Sequence, residues 1–328
     1  RIFLVLSNFP FAKGEAIEVV GYEIVRLMAS AGHTIDVQVI IRQSRSSSYD
    51  ERLEQAVLDF KDLDVNFLEP IFLADLLKKE NPLVRKLFEL TGIIFALPLL
   101  RQIINPYLFP ATSLKGKIKP LVDKCESNII LSIWSWEALA ATYRISSVPK
   151  FVYYGNPDHK PREARLNFPD LFDISKKGLA NKLKFQIQQL VKEAVRLQHI
   201  KMMNRCEITA NNSLIDVEYY RDSGHPHSIY LQNMWPQAKE EPIFGGQNHN
   251  LKPFKVVGSV GNLGATGNTF GLYFIGNDLA PKLEDKFGKE NIIIDIFGGG
   301  TPKKKVASTL NRPSIRLRGW VDDINKEI

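Results

Sequence analysis

The sequence predicts an α/β protein with parallel β-sheets, and the clearest signals lie near the end of the chain. Three short runs there each lead to a glycine turn: the β-branched Lys255–Val257 stops at Gly258, the apolar Ile292–Phe297 stops at Gly298, and Ser314–Leu317 ends at Gly319-Trp320. Stretches with helical spacing of apolar residues separate them. Strands that alternate with helices in this way form a parallel sheet, whose ligands bind beyond the carboxyl ends of the strands.

The glycines after these runs indicate a diphosphate site. Glycine lets the backbone approach a diphosphate closely and turn into a helix whose N-terminus carries partial positive charge. We expect that helix to start near Phe270, with Thr266, Asn268 or Thr269 as its cap. Tight β–α turns also need glycine when nothing binds, but the repeat of the pattern in a second turn favours nucleotide binding. The candidate residues are Gly261, Asn262, Gly264, Thr266, Gly267 and Asn268 in the first loop and Gly298, Gly299 and Gly300 in the second.

Composition sets broad limits on the class of protein. A chain of 328 residues, 44% of them hydrophobic, is long enough for two domains with separate cores. The net charge of +7 and the pI near 9.2 suit anionic ligands, nucleic acid or anionic lipid. Two cysteines, Cys125 and Cys206, exclude a disulfide scaffold and fit the reducing cytoplasm. No residues cluster with metal-ligand spacing, so we do not expect a structural zinc site or another metal site. We expect no cofactor.

The start of the chain predicts a second β/α unit. Ile2–Leu6 has the length of a buried strand, a helix is predicted from about Ala16 to Ala31, and Thr34–Ile41 is the next strand. The loop before the helix contains Gly14 and Glu15, again at the carboxyl end of a strand. They are either ligand contacts or an ordinary connection with a solvated carboxylate. Because Arg1 begins inside a strand without a methionine, we also expect residues ahead of it.

The sequence after the second strand predicts a loop, a helix and a short strand, followed by a strongly apolar stretch. Gln43–Tyr49 is expected to be a polar loop, Asp50–Phe60 a helix and Val65–Leu68 a short strand. Leu83–Phe109 is strongly apolar, but its charge-free core is too short to span a bilayer. It is either a helical hairpin packed inside the domain or a membrane-docking surface with basic flanks.

The middle of the chain contains the candidate catalytic residues. Asn128–Ile133 is a predicted strand, followed by a helix and by a second strand, Phe151–Tyr154. Asn156, Asp158 and His159 come directly after this second strand, where polar groups meet a ligand in parallel sheets. His159 is suited to hydrogen-bond a sugar hydroxyl, and Asp158 to orient it or accept a proton. The alternative is that His159 is an ordinary polar residue.

Lys176–Arg205 predicts a long basic helix in which Glu193 is the one acidic residue. Such runs are usually solvated faces, but this imbalance also fits a phosphate or an anionic membrane. Nucleic acid is less favoured, because aromatic residues do not alternate with these basic ones. Two strands, Glu207–Ala210 and Ile229–Leu231, are predicted next, and the aperiodic residues 238–252 are predicted to be a linker.

The order of these parts resembles the GT-B fold, and more closely glycosyltransferase family 4. The resemblance is carried by FPFAKGEAIEVVGYEIVRLMASAGHTIDV, GNLGATGNTFGLYFIGNDLAPKL, IIIDIFGGGTP and IRLRGWVDD. It implies two Rossmann-like β/α/β domains that face a cleft. Residues 1–237 would be the acceptor domain, 238–252 the linker, and 253–328 the start of an incomplete nucleotide-sugar domain.

The resemblance also implies an activity, the transfer of a sugar with retention from a UDP- or GDP-sugar to a glycan or lipid-linked acceptor. The first glycine loop would hold the diphosphate, and the second loop, with Trp320 and Val321, the nucleotide. Asn156, Asp158 and His159 would act on the transferred sugar, with Gly14 and Glu15 approaching from the first domain. The expected location is the cytoplasm, with a peripheral membrane contact possible through the basic helix. No nucleic-acid partner is expected.

Two departures from the family pattern keep alternatives open. The first loop lacks the arginine and lysine with which many members grip the diphosphate, and the family's paired glutamates would lie beyond Ile328. A sugar-nucleotide epimerase or a non-catalytic nucleotide-sugar-binding protein therefore remains possible. A nicotinamide dehydrogenase is less favoured, because the first loop lacks the spacing G-x-G-x-x-G.

Overall fold

The computed structural model describes residues 1–80, 110–234 and 254–321. The chain divides into two compact units, Arg1–His159 with Leu190–Gln237, and Lys160–Gln189 with Ala238–Ile328. The sequence pattern assigns residues 160–189 to the first domain, whereas in the structure they group with the second unit. The apolar stretch Leu83–Phe109 and the predicted linker lie outside the described residues.

The first unit is built on a parallel sheet. Its described strands are β1 Ile2–Leu6, β2 Ile35–Ile41, β3 Val65–Phe67, β4 Ile71–Phe72, β5 Ile129–Ile133, β6 Lys150–Tyr154, β7 Ile208–Asn211 and β8 Ser228–Tyr230. They are ordered β3-β2-β1-β5-β6-β7-β8, with β4 also paired to β2, and each pairing is parallel. The order reverses between β1 and β5, which in doubly wound sheets is the switch point where ligands bind.

The helices follow the α/β alternation that the sequence predicts. Those of the first unit are α1 Ala16–Ser30, α2 Ser47–Asp59, α3 Leu73–Glu80, α4 Pro110–Lys124, α5 Trp136–Thr142 and α8 Leu214–Asp222. Those of the second unit are α6 Lys160–Asn167, α9 Thr266–Phe274, α10 Ala280–Phe287 and α11 Lys304–Thr309. Helix α7, Leu179–Met203, has its first residues in the second unit and the rest, from Leu190, in the first.

Apolar side chains cover both faces of the first sheet. Every residue of β1 is buried, and alternate residues point to opposite faces. Leu4 and Leu6 belong to a cluster that includes Ile24 of α1. Phe3 and Val5 belong to a second cluster with Leu114 of α4. Burial on both faces explains why the strand reads as a continuous apolar run.

Two helix starts show how the local sequence sets the fold. Helix α1 begins with a capping box, in which the Glu18 carboxylate accepts the backbone N–H of Glu15 at 3.1 Å. Helix α2 begins at Ser47, inside the predicted loop Gln43–Tyr49, so that prediction was wrong at its end. Ser46 has the extended backbone of an N-cap residue, and Asp50 in the first turn suits the positive end of the helix.

The second unit contains a three-stranded parallel sheet in its described part. Strands β9 Phe254–Val260, β10 Ile292–Phe297 and β11 Ile315–Gly319 are ordered β11-β10-β9. The rings of Phe168 and Phe172 pack against the ring of Phe270, with centroids 5.2 and 5.6 Å away. These long-range aromatic contacts explain why residues 160–189 belong to this unit. The predicted α/β class, with Rossmann-like parallel sheets, is confirmed.

The start of α9 differs from the prediction. The helix begins at Thr266 rather than near Phe270, and its N-cap is Ala265, without a side-chain hydrogen bond. The predicted cap by Thr266, Asn268 or Thr269 is therefore wrong. Thr269 instead donates back to the carbonyl of Ala265 at 2.9 Å, as threonine often does inside helices. In the part of the chain that is described, no helix has the length and apolar character needed to cross a bilayer.

Candidate functional site

A cavity of about 620 Å³ lies at the carboxyl end of the first sheet. Its walls come from residues at or just beyond the ends of five strands: Ser7 and Asn8 after β1, Arg42 and Gln43 after β2, Trp134 to Glu137 after β5, Tyr154 to Asn156 and Asp158 at β6, and Asn212 after β7. Ile17 of α1 completes the lining. The cavity therefore lies at the switch point between β1 and β5, where a parallel sheet is expected to bind its ligand.

One wall of the cavity is formed by Trp134 in an unusual backbone conformation. Its φ is +44°, in the left-handed region that bulky residues rarely adopt, at a cost of about 1–3 kcal/mol. The backbone N–H of Trp134 donates to the carbonyl of Tyr153 at 2.8 Å, and the centroids of the two side-chain rings are 5.7 Å apart. Backbone strain of this kind concentrates at functional sites. The strain therefore supports a ligand-binding role for this wall.

An ion pair forms another part of the wall. Arg42 donates to both oxygens of the Glu137 carboxylate, at 2.6 and 3.1 Å. Burial acts to lower the pKa of Arg42, but the neighbouring Glu137 carboxylate outweighs it and raises the pKa overall. Ser135 donates to Glu137 at 3.2 Å and caps α5 by accepting the N–H of Ala138 at 3.1 Å. These bonds fix the Glu137 carboxylate in one orientation.

A hydrogen-bonded cluster lies behind Asp158. The hydroxyl of Tyr154 donates to Oδ2 of Asp158 at 2.6 Å, and Nδ1 of His199 lies 3.0 Å from the same oxygen. On the other side of the histidine, Nε2 is 2.6 Å from the hydroxyl of Tyr220. Burial, and then the charge of Asp158, raise the pKa of Tyr154 and of Tyr220 well above the usual value. Both phenols therefore keep their protons at neutral pH.

The structure brings together two of the three predicted catalytic residues. Asn156 and Asp158 line the cavity, and 34% of the Asp158 side chain is exposed. His159 is not among the lining residues: it is 3% exposed, and its ring lies 5.3 Å from the ring of Tyr219. A direct contact between His159 and a sugar therefore stays a prediction.

Gly14 and Glu15 lie at the start of α1 and are exposed. Glu15 takes part in the capping box described above, which is a structural role. A Cβ atom at Gly14 would collide with the Glu18 carboxylate, so a larger residue there would displace the flexible end of Glu18 from that cap. Neither residue is among those that line the cavity. Their contact with a donor also stays a prediction.

The two glycine loops of the second unit are in contact with each other. Gly261, Gly298 and Gly300 have φ values of +131°, +143° and +84°, a region that favours glycine. A Cβ atom on Gly298 would overlap the carbonyl oxygen of Gly261. The N–H of Leu263 donates to the carbonyl of Gly299 at 2.9 Å, which ties the loops together. Packing alone thus requires glycine at 298.

Polar side chains organise the first of these loops. Asn262 Oδ1 accepts the N–H of Gly264 at 2.9 Å, and Asn268 Nδ2 donates to the carbonyl of Asn262 at 2.8 Å. Gly267 lies in the first turn of α9, where a Cβ would have open space. Thr266 Oγ1 accepts a hydrogen bond from Nε of Arg165, on α6, at 2.9 Å. An arginine from elsewhere in the unit thus contacts the loop that has no basic residue of its own.

The remaining predicted nucleotide contacts lie at the end of β11. Trp320 is 71% exposed, and a Cβ atom on Gly299 would lie 3.9 Å from its ring carbon Cε3. Val321 follows and is partly buried. The second glycine loop and the tryptophan therefore lie close together in this unit. No group of three or more His, Cys, Asp or Glu side chains able to hold a metal ion is found in the described ranges.

Several residues of the cavity are not predicted from the sequence. Their position in the sequence could have identified them, because ligands bind beyond the carboxyl ends of parallel strands. Each of them follows such a strand: Asn8, Arg42, Trp134 and Asn212. His199 has no such signal, because it lies inside a helix whose basic residues dominate the pattern.

Comparison with known proteins gives distant structural likenesses. No family model matches the chain, and no curated protein is similar to it in sequence. Sucrose-phosphate synthase from Thermosynechococcus elongatus is 12% identical, with a TM-score of 0.45 over 98% of this chain and 70% of that one. UDP-N-acetylglucosamine 2-epimerase from Rickettsia bellii is 10% identical, with a TM-score of 0.43 over 99% and 71%. MurG from Acinetobacter baumannii is 8% identical, with a TM-score of 0.39 over 99% and 68%. Because the identities and TM-scores are this low, these structural similarities do not indicate what the chain binds or which reaction it catalyses.

Proposed function

We propose that this chain acts as a retaining GT-B glycosyltransferase, which transfers a sugar from a UDP- or GDP-sugar to a glycan or lipid-linked acceptor. The observation that carries the proposal is the cavity at the switch point of the first sheet, with its tryptophans, amides and a fixed carboxylate. Retention and the acceptor class rest on the sequence resemblance, whereas the proposed cytoplasmic location rests on the low cysteine content and the proposed membrane contact on the basic run Lys176–Arg205.

The chemistry of the cavity suits a carbohydrate. A sugar has apolar faces that pack on aromatic rings and hydroxyls that need both donors and acceptors. Trp134 and Trp136 supply rings, and Asn8, Asn156 and Asn212 supply amides that both donate and accept. Within this proposal Asn156, Asp158 and His159 act on the transferred sugar, and Gly14 and Glu15 approach it from the start of α1.

The second unit would bind the nucleotide diphosphate. Gly261, Asn262, Gly264, Thr266, Gly267 and Asn268 form the loop that would surround the diphosphate. The N-terminus of α9 points its backbone N–H groups into this loop, and Arg165 adds a full positive charge beside Thr266. Gly298, Gly299 and Gly300 would line the nucleotide with Trp320 and Val321. Such groups stabilise charge that grows on the leaving diphosphate.

The test is a transfer assay on the full-length protein with UDP- and GDP-sugars and a mixture of glycan and lipid-linked acceptors. Asp158→Asn should lower the transfer rate by about ten- to a hundredfold, because it removes a charged hydrogen-bond acceptor from the cavity. The dissociation constant of the nucleotide should remain nearly unchanged, since Asp158 lies in the other unit. Asp222→Asn, at the exposed end of α8, is the matched control and should transfer at the wild-type rate.

The same assay separates the alternatives. An epimerase would convert the donor sugar when no acceptor is present. A binding protein would bind the nucleotide sugar and convert none of it. Equal transfer rates for wild type and Asp158→Asn would contradict the placement of the reacting sugar in this cavity.

A further inference from the structure

We propose that His199 is a positioning residue, which Tyr220 holds as the Nδ1–H tautomer so that it fixes the Asp158 carboxylate as the acceptor for a sugar hydroxyl in the cavity. The proposal rests on the proposed function for the identity of the ligand. It deepens that function by assigning a role to three buried side chains, Tyr154, His199 and Tyr220, that the reaction itself does not require.

The protonation states of the two partners of His199 determine its tautomer. The carboxylate of Asp158 can only accept hydrogen bonds, so Nδ1–H of His199 donates to Oδ2 across 3.0 Å. A neutral imidazole with its proton on Nδ1 accepts at Nε2. The hydroxyl of Tyr220, 2.6 Å from Nε2, then donates to that nitrogen. The direction of both hydrogen bonds follows from the carboxylate of Asp158.

The same argument fixes the orientation of Asp158. The hydroxyl of Tyr154 also donates to Oδ2, at 2.6 Å. Within the described residues, the hydrogen bonds to Asp158 thus converge on one oxygen from two directions. Oδ1 remains for a ligand, and the side chain, which is 34% exposed, lines the cavity. A carboxylate oxygen held in this way suits a sugar hydroxyl, which donates a proton to it.

The surroundings of His199 leave its ring little freedom. The side chain has no exposed surface. Its ring stacks on Tyr220 with a centroid distance of 5.7 Å and meets the edge of Tyr154 at 4.7 Å. On a third side it lies 5.8 Å from Trp136, which lines the cavity. A ring packed between aromatic side chains holds its hydrogen-bond partners in place, which is how supporting residues keep a binding group in its productive geometry.

A simpler explanation is that His199 only fills the core and satisfies its own nitrogens. Under that explanation, any substitution of similar volume would weaken the fold, and the two nitrogens would be equivalent in their effect on the site. Under the proposal they differ, because Nδ1 contacts the cavity carboxylate and Nε2 contacts Tyr220. Asparagine can place a donor near the position of Nδ1, and glutamine can place its amide near Nε2. This pair of variants distinguishes the two explanations.

The first measurement is the tautomer of His199, obtained by ¹⁵N NMR of the wild-type protein with labelled histidine. We expect a protonated Nδ1 and an unprotonated Nε2 at neutral pH. Tyr220→Phe, which removes one oxygen atom and keeps the ring, should raise the fraction of the Nε2–H form. A dominant Nε2–H tautomer in wild type overturns the proposal, whatever ligand the protein binds.

The second measurement compares variants in the transfer assay, with UDP-glucose and GDP-mannose as the donors. His199→Gln should lower the transfer rate by about ten- to a hundredfold at an unchanged nucleotide dissociation constant. His199→Asn should recover most of the lost rate. His225→Asn is the matched control: His225 is another buried histidine of this unit, 2% exposed, and it bonds the carbonyl of Cys206 at 2.9 Å. It should transfer at the wild-type rate even if its stability falls.

The outcomes separate this proposal from the proposed function. Equal losses of rate in His199→Asn and His199→Gln overturn the positioning role, even in an active enzyme. If wild type neither binds nor converts any nucleotide sugar, the proposed function fails, and the role of His199 is then decided by the NMR tautomer alone. If the histidine variants do not fold, Tyr220→Phe decides instead. A tautomer and a rate that both equal those of wild type overturn the proposal.

Discussion

Replacement of Gly298 by alanine should strongly destabilise the second unit. A Cβ atom there would overlap the carbonyl oxygen of Gly261 and lie 2.7 Å from its carbonyl carbon. Both are backbone atoms, so they can move only if the loops separate. The φ of +143° also disfavours a side chain, at a cost of about 1–3 kcal/mol.

The size of the effect follows from the bonds that a separation of the loops would stretch. The N–H of Gly261 donates to the carbonyl of Phe297 at 3.1 Å, and the N–H of Leu263 donates to the carbonyl of Gly299 at 2.9 Å. Each bond contributes about 1 kcal/mol, so with the backbone strain the total loss is about 3–5 kcal/mol. Gly271→Ala is the matched control, since a Cβ there would have open space on α9. It should stabilise the helix by about 0.5–1 kcal/mol.

Hydrogen exchange followed by mass spectrometry is the suitable assay, because it reports on each unit separately. Peptides that cover β9, β10 and β11 should exchange about a hundredfold faster or more in Gly298→Ala than in wild type. Peptides from β1, β5 and β6 should exchange at the wild-type rate. Protection of β10 within about threefold of wild type would refute the argument that the contact of the two loops requires glycine.

Three further predictions concern charge. Arg165→Gln should raise the dissociation constant of UDP or GDP about tenfold in calorimetry, because it removes the cation beside the diphosphate loop. Burial lowers the pKa of His225 below its ordinary value of 6.5, so the unfolded state binds more protons, and the free energy of unfolding should fall as the pH drops below 6.5. His225→Gln should flatten that slope in urea denaturation. Leu183 is 54% exposed on α7 beside Lys182, and the double variant Leu183→Ser with Lys182→Glu should reduce cosedimentation with anionic vesicles in low salt.

Each of these predictions has a contrary result. If Arg165→Gln bound the nucleotide as tightly as wild type, Arg165 would have a structural role only and would not contribute to diphosphate binding. The same pH slope in His225→Gln and wild type would mean that other groups cause the acid sensitivity. If the wild-type protein sedimented equally with neutral and anionic vesicles, the basic residues of α7 would be solvent-exposed residues without a role in lipid binding.

The alternation of strands and helices could be predicted because local patterns determine it. Ile292–Phe297 was predicted to the residue, since it is an apolar run, interrupted by Asp295 alone, that stops at Gly298. Long-range contacts could not be predicted in this way. Residues 160–189 join the second unit through aromatic contacts with Phe270, and no local pattern signals such a partner.

The part of the candidate cavity that lies directly after a predicted strand could be predicted from the sequence. Asn156 and Asp158 were found because they follow a strand that ends at the ligand edge of the sheet. His199 was missed because it meets Asp158 across 41 residues of sequence, from inside a helix. Arg165 contacts Thr266 from 101 residues away in the sequence, so the sequence showed a glycine loop without a cation but not the arginine that contacts it. The left-handed backbone of Trp134 accompanies a hydrogen bond from its backbone N–H to the carbonyl of Tyr153 on the neighbouring strand, a contact that local sequence does not encode.

The most direct test of the central claim is nucleotide-sugar binding by the full-length protein. Thermal unfolding should be recorded with UDP, GDP, UDP-glucose and GDP-mannose at millimolar concentration. A ligand that binds only the folded state stabilises it by about 2.7 kcal/mol at a hundred times its dissociation constant, so the melting temperature should rise with at least one of them. Adenosine diphosphate serves as the control for non-specific phosphate binding. A melting temperature that no nucleotide or nucleotide sugar changes would contradict the account.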